Sequence, residues 1–161
     1  ALREPRGVKV IKVETAAEML EAVKKQFKKC NCLIMAAAVA DYAPTRPAKS
    51  KLKKAGKPLT LKLRPTADIL KWAGAHKTKG QITVGFALED KALRTRAEKK
   101  MREKSLDMII ANTTAAIGAE TTTVHIKAIE TGWLQVNSTT KTAIAKKVIS
   151  TIAGKRCATY P

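Results

Sequence analysis

One acidic residue, Asp41, follows a run of small and apolar residues, Leu33 to Ala40, in a position where it could bind a nucleotide. The alanines at 36 to 38 would let a base or a ribose approach backbone N–H and C=O groups closely. The Asp41 carboxylate could then accept a hydrogen bond from a hydroxyl group or hold Mg²⁺. The same residues fit an alternative equally well, in which a helix packs closely on a strand and Asp41 begins a turn.

Basic residues form two further candidate sites for an anion. The first is the run Lys51-Leu-Lys-Lys54, in a polar stretch. Such a run is usually a solvated surface, but lysines on a lid can also neutralise polyphosphate charge in a transition state. The second is the pair Lys100 and Lys104, which stand four residues apart on a predicted helix, where like charges repel by a few tenths of a kcal/mol. A bound anion would relieve that repulsion, although surface helices often tolerate such pairs.

Three other positions have an ordinary and a functional interpretation. A helix predicted to begin at Thr66 would offer free N–H groups and a positive dipole end to a phosphate, as every helix does. Phe86, at the end of a predicted strand, could stack on a ligand or belong to the core. The sequence near His125 shows no carboxylate, Ser or Cys that would act with it as a catalytic partner. We therefore expect His125 to be structural or exposed.

The first half of the chain shows the elements that would position these residues. Residues 8–14 alternate at period two and predict a strand. Thr15-Ala-Ala-Glu18 is a capping box, which predicts a helix from there to about Lys29. Residues 33–40 are apolar at every position and predict a strand covered on both faces, hence in a parallel sheet. Residues 41–58 predict a long loop, of the kind that forms lids or binding segments.

Strands and helices continue to alternate in the second half. The predicted strands are 59–63, 81–88 and 106–111. One predicted helix begins at Thr66 and directs Ile69, Leu70 and Ala73 inward. Another predicted helix runs from Leu93 to Lys104. Residues 121–129 and 133–138 predict an antiparallel hairpin. A last helix follows from about Thr140, with Ala145, Val148, Ile149 and Ile152 buried and Gly154 as its C-terminal cap.

This order predicts an α/β fold of Rossmann-like, three-layer α/β/α type, with a mainly parallel sheet and a C-terminal antiparallel hairpin, in one domain over residues 1–161. Ligands of such sheets bind outside the carboxyl ends of the strands. That rule selects Ala36–Tyr42, Thr66–Leu70, Gly85–Glu89, and Ala111–Asn112 with the loop behind it. The sequence contains neither G-x-G-x-x-G nor a P-loop motif, so a nucleotide would have to be held otherwise.

Composition narrows the class of protein. The longest aliphatic run, residues 33–40, is far shorter than the ~20 residues of a bilayer span, and the first residues do not look like a signal peptide, so we expect a cytoplasmic protein. Cys30, Cys32 and Cys157 suggest neither disulfides nor a zinc site. The net charge of +19 suits nucleic acid, a membrane surface or polyanionic substrates. No aromatic residues are interleaved with the basic clusters, which weakens the case for a surface that stacks single-stranded bases.

Taken together, several segments resemble one family: phosphopantothenate–cysteine ligase (phosphopantothenoylcysteine synthetase), the synthetase half of the bacterial bifunctional coenzyme A biosynthesis flavoprotein. The similar segments run in the family's order over about residues 7–153. They are Val13–Leu20, Ala36–Tyr42, Lys51–Lys54, Pro65–Leu70, Val84–Glu89 and Lys104–Asn112.

The resemblance implies a cytoplasmic, homodimeric, Mg²⁺-dependent ligase that uses CTP as co-substrate. In the family, the carboxylate of 4′-phosphopantothenate attacks the α-phosphate of CTP, which gives an acyl-cytidylate and pyrophosphate. The cysteine amine then displaces CMP and forms an amide. The resemblance also implies a decarboxylase half in a longer parent protein, and no FMN in this chain.

The family's site residues transfer to matching positions here. Lys51 would be the lid lysine that assists catalysis, Asp41 would bind the nucleotide, Phe86 would pack on it, and Lys100 and Lys104 would hold its phosphates or base. The remaining nucleotide-binding positions implied by the resemblance are Met35, Ala36, Ala37, Ala38, Ala67, Asp68, Ile69 and Leu70.

Two departures from the family pattern keep other functions open. The family begins with a Gly-Gly-Thr turn and an asparagine that stabilises the acyl-cytidylate, and neither precedes Gly7, so we expect weaker turnover than nucleotide binding. Ala67 stands where the family usually has Pro. The alternatives are a catalytically incomplete nucleotide-binding fragment and, on the evidence of charge alone, a basic nucleic-acid-binding module.

Overall fold

The computed structural model describes residues 4–48, 50–54, 56–129 and 131–159. They fall into two compact units, one formed by residues 1–25 and 38–69 and the other by residues 26–37 and 70–161. In chain order the elements are α1 (Ala16–Phe27), β1 (Cys32–Met35), β2 (Tyr42–Pro44), β3 (Leu63–Pro65), α2 (Ile69–His76), β4 (Ile82–Leu88), α3 (Leu93–Glu103), β5 (Met108–Asn112), a 3-10 turn (Thr114–Ala116), β6 (Thr121–Ala128), β7 (Leu134–Thr140) and α4 (Lys141–Thr159).

The larger unit is built on a five-stranded sheet in the order β1-β4-β5-β6-β7. The pairs β1–β4 and β4–β5 are parallel, while β6 is antiparallel to both β5 and β7. Four of the five strands therefore run in the same direction. The predicted mainly parallel α/β fold with a C-terminal antiparallel hairpin is confirmed.

Helices cover both faces of this sheet, which confirms the three-layer arrangement. Because successive side chains of a strand point to opposite faces, Met108 and Ile110 of β5 pack in one core with Val148 of α4. Ile109 and Ala111 of β5 pack in the other core, which also contains the following residues of α2 and α3: Leu70, Ala97 and Met101.

The boundaries of several elements were predictable from local signals. The capping box is present, since Glu18 N–H donates to Thr15 Oγ1 (3.1 Å) and Glu18 Oε2 accepts hydrogen bonds from the Glu14 and Thr15 N–H groups (2.7 and 3.3 Å). The predicted α1, β4, α3, β5 and the β6–β7 hairpin all lie within two residues of the observed bounds.

Three strand predictions need correction. Residues 8–14 form no strand, because no strand among the described residues pairs with them, and the side chains of Val8, Val10 and Ile11 are exposed. The predicted strand 59–63 is observed as β3, which starts at Leu63 and pairs with β2 inside the stretch predicted to be a loop. The predicted strand 33–40 ends at Met35, and because β1 is an edge strand, Ile34 remains 39% exposed rather than covered.

Two helix predictions also need correction. Thr66 does not cap α2, because its hydroxyl donates to the carbonyl of Ala40 (2.6 Å) and the helix begins at Ile69, although the predicted inward residues of α2 are buried. In α4, Val148 and Ile152 are buried as predicted, but Ala145 and Ile149 are exposed. Ile144 takes the inward position instead, one turn before Val148, and the helix continues past Gly154 rather than ending there.

Asp107 joins β4 to β5 and to the turn that precedes β4. Its Oδ2 accepts hydrogen bonds from the Thr83 N–H (2.7 Å) and hydroxyl (2.9 Å), and its Oδ1 binds Lys77 Nζ (2.7 Å). The Asp107 N–H in turn donates to the Thr83 carbonyl (2.9 Å). Because Thr83 is completely buried, its polar groups need these partners.

Gly74 lets α2 approach the end of α3 backbone to backbone. A Cβ atom at this position would collide with the carbonyl oxygen of Lys104 and lie 3.3 Å from Ser105 Cβ. The obstructing atom belongs to the main chain and cannot rotate away, so only glycine fits here without moving a helix. No helix in the described part of the chain is long and apolar enough to cross a bilayer.

Asp107→Ala should lower the free energy of unfolding by about 2–3 kcal/mol, because it leaves the buried Thr83 groups and Lys77 without their acceptor. Urea unfolding followed by circular dichroism measures the difference. The matched control is Asp90→Ala, which removes an exposed ion pair with Arg96 and should change stability by less than about 1 kcal/mol. Equal effects of the two substitutions would contradict this account.

Candidate functional site

In the larger unit, three parallel strands end at one edge of the sheet. Met35 of β1 is level with Gly85 of β4, and Leu88 of β4 is level with Asn112 of β5. This carboxyl edge is where open α/β sheets bind ligands. Ala36 and Ala37 follow β1 directly and are exposed at this edge.

Lys100 and Phe86 are brought together there. Lys100, on α3, donates a hydrogen bond from Nζ to the main-chain carbonyl of Phe86 (2.9 Å). The Phe86 ring is half-buried and packs against the core on the α4 side of the sheet. The lysine ammonium therefore lies beside the last residues of β4, where a negatively charged ligand group would meet a positive charge.

Leu70 and Met35 share the core on the α3 side. Leu70 also lies against β4, where a Cβ added at Gly85 would be 2.7 Å from Leu70 Cδ2. Lys104 ends α3 one turn after Lys100, and its N–H donates to the Lys100 carbonyl (3.1 Å). Five predicted nucleotide-binding residues thus lie around β1, β4 and α3: Met35, Leu70, Phe86, Lys100 and Lys104.

The smaller unit brings another group of predicted residues together. Thr66 N–H donates to the Asp41 carbonyl (2.9 Å), next to the Thr66 hydroxyl bond to Ala40. The chain from Ala38 to Asp41 therefore runs beside the residues that lead into α2, where Ala67 and Asp68 are exposed and Ile69 is buried. The Asp41 side chain is exposed and available to a ligand.

Lys51 lies in the same unit, in a stretch that belongs to no helix or strand. Its side chain is exposed, as are those of Lys53 and Lys54. Among the described residues, no carboxylate forms an ion pair with any of these three lysines. The position suits an approach to a charged ligand and equally suits a solvated surface.

A pocket that the sequence did not reveal lies at the carboxyl edge, beside the end of β5. Its volume is about 330 Å³, and its lining residues are Thr113, Ala115, Thr121, Thr122, Thr123 and His125. We call it the threonine pocket. The sequence did select the loop behind Asn112 as a ligand position, but the threonine run at 121–123 gave only a strand signal.

His125, at one side of this pocket, has a defined hydrogen-bonding state. Arg94 donates to His125 Nδ1 from Nε (3.3 Å) and from Nη2 (3.2 Å). Because Nδ1 accepts, the ring proton of the neutral imidazole belongs on Nε2. Burial lowers the pKa of His125 from its ordinary value of 6.5, and the positive charge of Arg94 lowers the pKa further.

No metal centre is preformed among the described residues, since no three His, Cys, Asp or Glu side chains are grouped as ligands there. Cys30 and Cys32 are free thiols. A second cavity, of about 540 Å³, lies near Leu106 and Lys127, before the amino end of β5. Its charged groups pair with neighbours, as Lys77 does with Asp107 and Lys127 with Glu98.

Comparison with known proteins gives a consistent family. The model of the DNA/pantothenate metabolism flavoprotein C-terminal domain matches residues 1–155. The chain is 42% identical over 120 residues to the coenzyme A biosynthesis bifunctional protein CoaBC of Bacillus subtilis. This match covers 74% of this chain and 29% of that protein. It is 41% identical over 125 residues to a cysteine/cysteine sulfinic acid decarboxylase from an unknown prokaryotic organism, covering 75% of this chain and 35% of that protein.

The solved structures include a close match over most of the chain. The C-terminal domain of a coenzyme A biosynthesis bifunctional protein CoaBC is 32% identical, with a TM-score of 0.79, and the match covers 94% of this chain and 68% of that one. The chain spans about a third of the length of the curated relatives that it matches. The similarity to the decarboxylase therefore concerns only part of that protein.

We expect His125 to titrate below pH 6.5, as followed by NMR of its ring protons. Because the folded state takes up this proton less readily than the unfolded chain, the free energy of unfolding should decrease as pH falls below about 6.5 towards the lowered pKa. His125→Gln should remove this component of the pH dependence, and Arg94→Gln should raise the pKa of His125. A midpoint at or above 6.5 would show that neither burial nor Arg94 controls the ring.

Proposed function

The chain belongs to the family of DNA/pantothenate metabolism flavoprotein C-terminal domains, and from this membership we propose that it is a ligase that joins 4′-phosphopantothenate to cysteine in coenzyme A biosynthesis. The observation that carries the proposal is the match to a solved C-terminal domain over 94% of the chain. One relative is named a decarboxylase, but the matched structure is the C-terminal domain of a bifunctional protein. We therefore favour the ligase activity over a decarboxylase activity for this chain.

The proposed reaction has two steps. The carboxylate of 4′-phosphopantothenate attacks the α-phosphate of CTP, so that an acyl–phosphate bond forms and pyrophosphate leaves. The amine of cysteine then attacks the acyl carbon, an amide forms, a proton is lost from the amine, and CMP leaves. The protein's part is to bring anionic reactants together and to stabilise the charge that develops on phosphate and acyl oxygens.

Positions at the carboxyl edge support binding of the nucleotide by the larger unit. Lys100 places its ammonium beside the Phe86 carbonyl, and Ala36 and Ala37 leave the backbone after β1 open to approach. Lys104 lies one turn further along α3, towards the amino end of β5, and it is proposed as a contact of this unit together with the backbone of Met35 and Leu70. In these roles the lysines bind phosphate or base, and the small residues admit the nucleotide.

In the smaller unit, Asp41 is proposed to bind the nucleotide and Lys51 to assist the chemistry. Ala38 and Ala67 to Ile69 are proposed to contact the nucleotide through their backbone. The exposure of the Asp41 and Lys51 side chains supports these roles. Mg²⁺ would neutralise phosphate charge, and Asp41 suits it, since Mg²⁺ commonly takes one or two carboxylates together with substrate phosphates. No FMN is part of the proposal.

We also propose that the protein is a cytoplasmic homodimer and a single CTP-binding synthetase domain, joined to a decarboxylase half in a longer parent protein. Leu59, Leu61 and Leu63 support the dimer, because each is more than half exposed on the same segment. An apolar surface of this kind is commonly covered by another protein chain.

CTP with Mg²⁺ should raise the melting temperature of the protein more than ATP, UTP or GTP does. A ligand at 100 times its Kd stabilises the folded state by about 2.7 kcal/mol, which is a readily measured shift. Equal or absent shifts for the four nucleotides would contradict the proposal. A CTP shift without pyrophosphate release on addition of 4′-phosphopantothenate would instead favour a nucleotide-binding fragment, and a steep log–log salt dependence of RNA binding would favour a nucleic-acid-binding module.

Lys51→Gln should slow pyrophosphate release roughly 100-fold and leave the Kd of CTP within a few-fold, because a contact to charge that develops only in the transition state changes kcat. Asp41→Ala should instead weaken CTP binding first, since it removes a contact already made in the ground state. Calorimetry and pyrophosphate-release assays measure both quantities. Lys57→Gln, an exposed lysine of the same segment, is the matched control and should behave as wild type. Normal turnover of Lys51→Gln would contradict the catalytic role and would show that the lysine run is a solvated surface.

A further inference from the structure

The amino edge of the sheet in the larger unit, opposite the carboxyl edge, is strongly basic. Because β1, β4 and β5 are parallel, the residues that lead into them, 27–31, 76–81 and 102–107, lie at this edge. These three segments contain six basic residues and two acidic ones. The basic residues are Lys28, Lys29, Lys77, Lys79, Arg102 and Lys104. Apart from Lys104, none of them has a part in the proposed reaction.

Gln81 holds the first two of these segments side by side. Its Nε2 donates to the carbonyls of Phe27 (2.6 Å) and Cys30 (2.7 Å), so the turn before β4 is bound to the chain that follows α1. Residues 28–29, both lysines, lie between these two carbonyls, and Lys79 lies in the turn. The fold therefore gathers lysines that are about 50 residues apart in the sequence.

Lys28, Lys29 and Lys79 are accessible to an external anion. Their side chains are exposed, and no carboxylate among the described residues forms an ion pair with any of them. Lys77 differs, because Asp107 binds its ammonium. Lysines close to the end of a helix interact favourably with the helix dipole. That interaction leaves the ammonium groups in solvent, where a phosphate can reach them.

A row of three aromatic rings begins at the same segment. The Trp72 ring meets the Phe27 ring edge-on, with centroids 5.9 Å apart, and stacks on the His76 ring at 4.5 Å with an interplanar angle of 16°. Phe27 is buried, Trp72 is half-buried and His76 is exposed, so the row runs from the core to the surface. His76 Nδ1 donates to the Trp72 carbonyl (2.8 Å), which holds the imidazole in the stacked orientation.

Two kinds of contact thus lie together, ammonium groups for phosphates and a ring face for a base. Single-stranded nucleic acid is bound by this combination, because its backbone is anionic and every base has a flat face. In cells most single strands are RNA. A membrane surface also attracts lysines, but no large hydrophobic side chain of residues 27–31, 72–81 and 102–107 is exposed to enter it.

We propose that Lys28, Lys29, Lys79 and His76, with Trp72 behind the imidazole, form a binding surface for single-stranded RNA, which we call the amino-edge patch. The lysines contact backbone phosphates, and the His76 ring stacks on Trp72 with one face and on a base with the other. This function is additional to the proposed ligase activity. The seven residues of β4 separate the patch from the carboxyl edge by roughly 20 Å, so RNA and nucleotide bind at different places.

The first test measures the phosphate contacts by fluorescence anisotropy of a labelled oligoadenylate at several salt concentrations. Lys28→Gln/Lys79→Gln should weaken binding and flatten the log–log salt plot by roughly 1.4, because each phosphate contact of a single strand contributes about 0.7 to the slope. Lys146→Gln/Lys147→Gln, which removes two exposed lysines from α4, is the matched control and should keep the wild-type slope. Equal slopes in the two double variants would mean that only the overall charge matters, which would overturn the inference.

The second test separates stacking from charge. His76→Ala should lower the affinity for oligoadenylate at least about fivefold, a typical cost of losing one base–ring contact. It should leave unchanged the affinity for an abasic strand of the same length, which carries the phosphates without the bases. His76→Phe keeps a ring and should retain wild-type affinity. Equal effects of His76→Ala on the two strands, or failure of His76→Phe to retain binding, would overturn the assignment of the ring.

Competition distinguishes the amino-edge patch from the proposed nucleotide site. Saturating CTP with Mg²⁺ should leave the oligoadenylate affinity unchanged, whereas displacement by CTP would place the RNA at the carboxyl edge and overturn the inference. Tighter binding of duplex RNA or of anionic vesicles than of the single strand would also overturn it.

The outcomes for the two proposed functions are independent. If CTP shifts the melting temperature and turnover occurs, but the wild-type protein binds no oligoadenylate, only the patch assignment is wrong. If oligoadenylate binds as described but CTP produces no shift, the patch assignment stands and the ligase proposal fails. The patch variants should show the same melting shift with CTP as the wild-type protein, which also checks that they are folded.

Discussion

The carboxylate of Asp107 fixes the register on which the larger unit depends. It accepts two hydrogen bonds from Thr83, and its own N–H returns one to the Thr83 carbonyl, so β4 and β5 are joined at a single defined offset. A slip of one residue would send the side chains of β4 to the wrong cores. The same offset determines that Leu88 and Asn112 end level with each other, and thereby where the carboxyl edge of the sheet lies.

The sequence predicted those elements whose signal is local. The Thr15–Glu18 capping box fixes the start of α1, and the apolar runs around Val84 and Ile109 form central strands because they are buried on both faces. The alternation of apolar and polar residues at 8–14 and 59–63 was less informative. Such alternation indicates an extended chain but does not indicate which strand, if any, pairs with that chain. The partner of Leu63 is Pro44, in a stretch whose composition predicted a loop.

The candidate site was predictable only in part, for a related reason. The family resemblance selected Lys100 and Phe86 as site residues. The hydrogen bond between the Lys100 ammonium and the Phe86 carbonyl could be seen only in the structure, where α3 lies beside β4. The threonine pocket was not predictable, because it arises from the unequal lengths of β5 and β6. Threonine also favours strands in general, so a run of three at 121–123 looks like ordinary β structure.

The close approach at Gly74 has a mechanical consequence. Where two helices touch through side chains, rotamer changes absorb small displacements, but at Gly74 the backbone of α2 rests directly on the Lys104 carbonyl. The contact leaves no side chain between α2 and the end of α3 that could change rotamer to take up a shift. The relative position of the two helices at this point is therefore determined by main-chain atoms and not by the choice of side-chain rotamers.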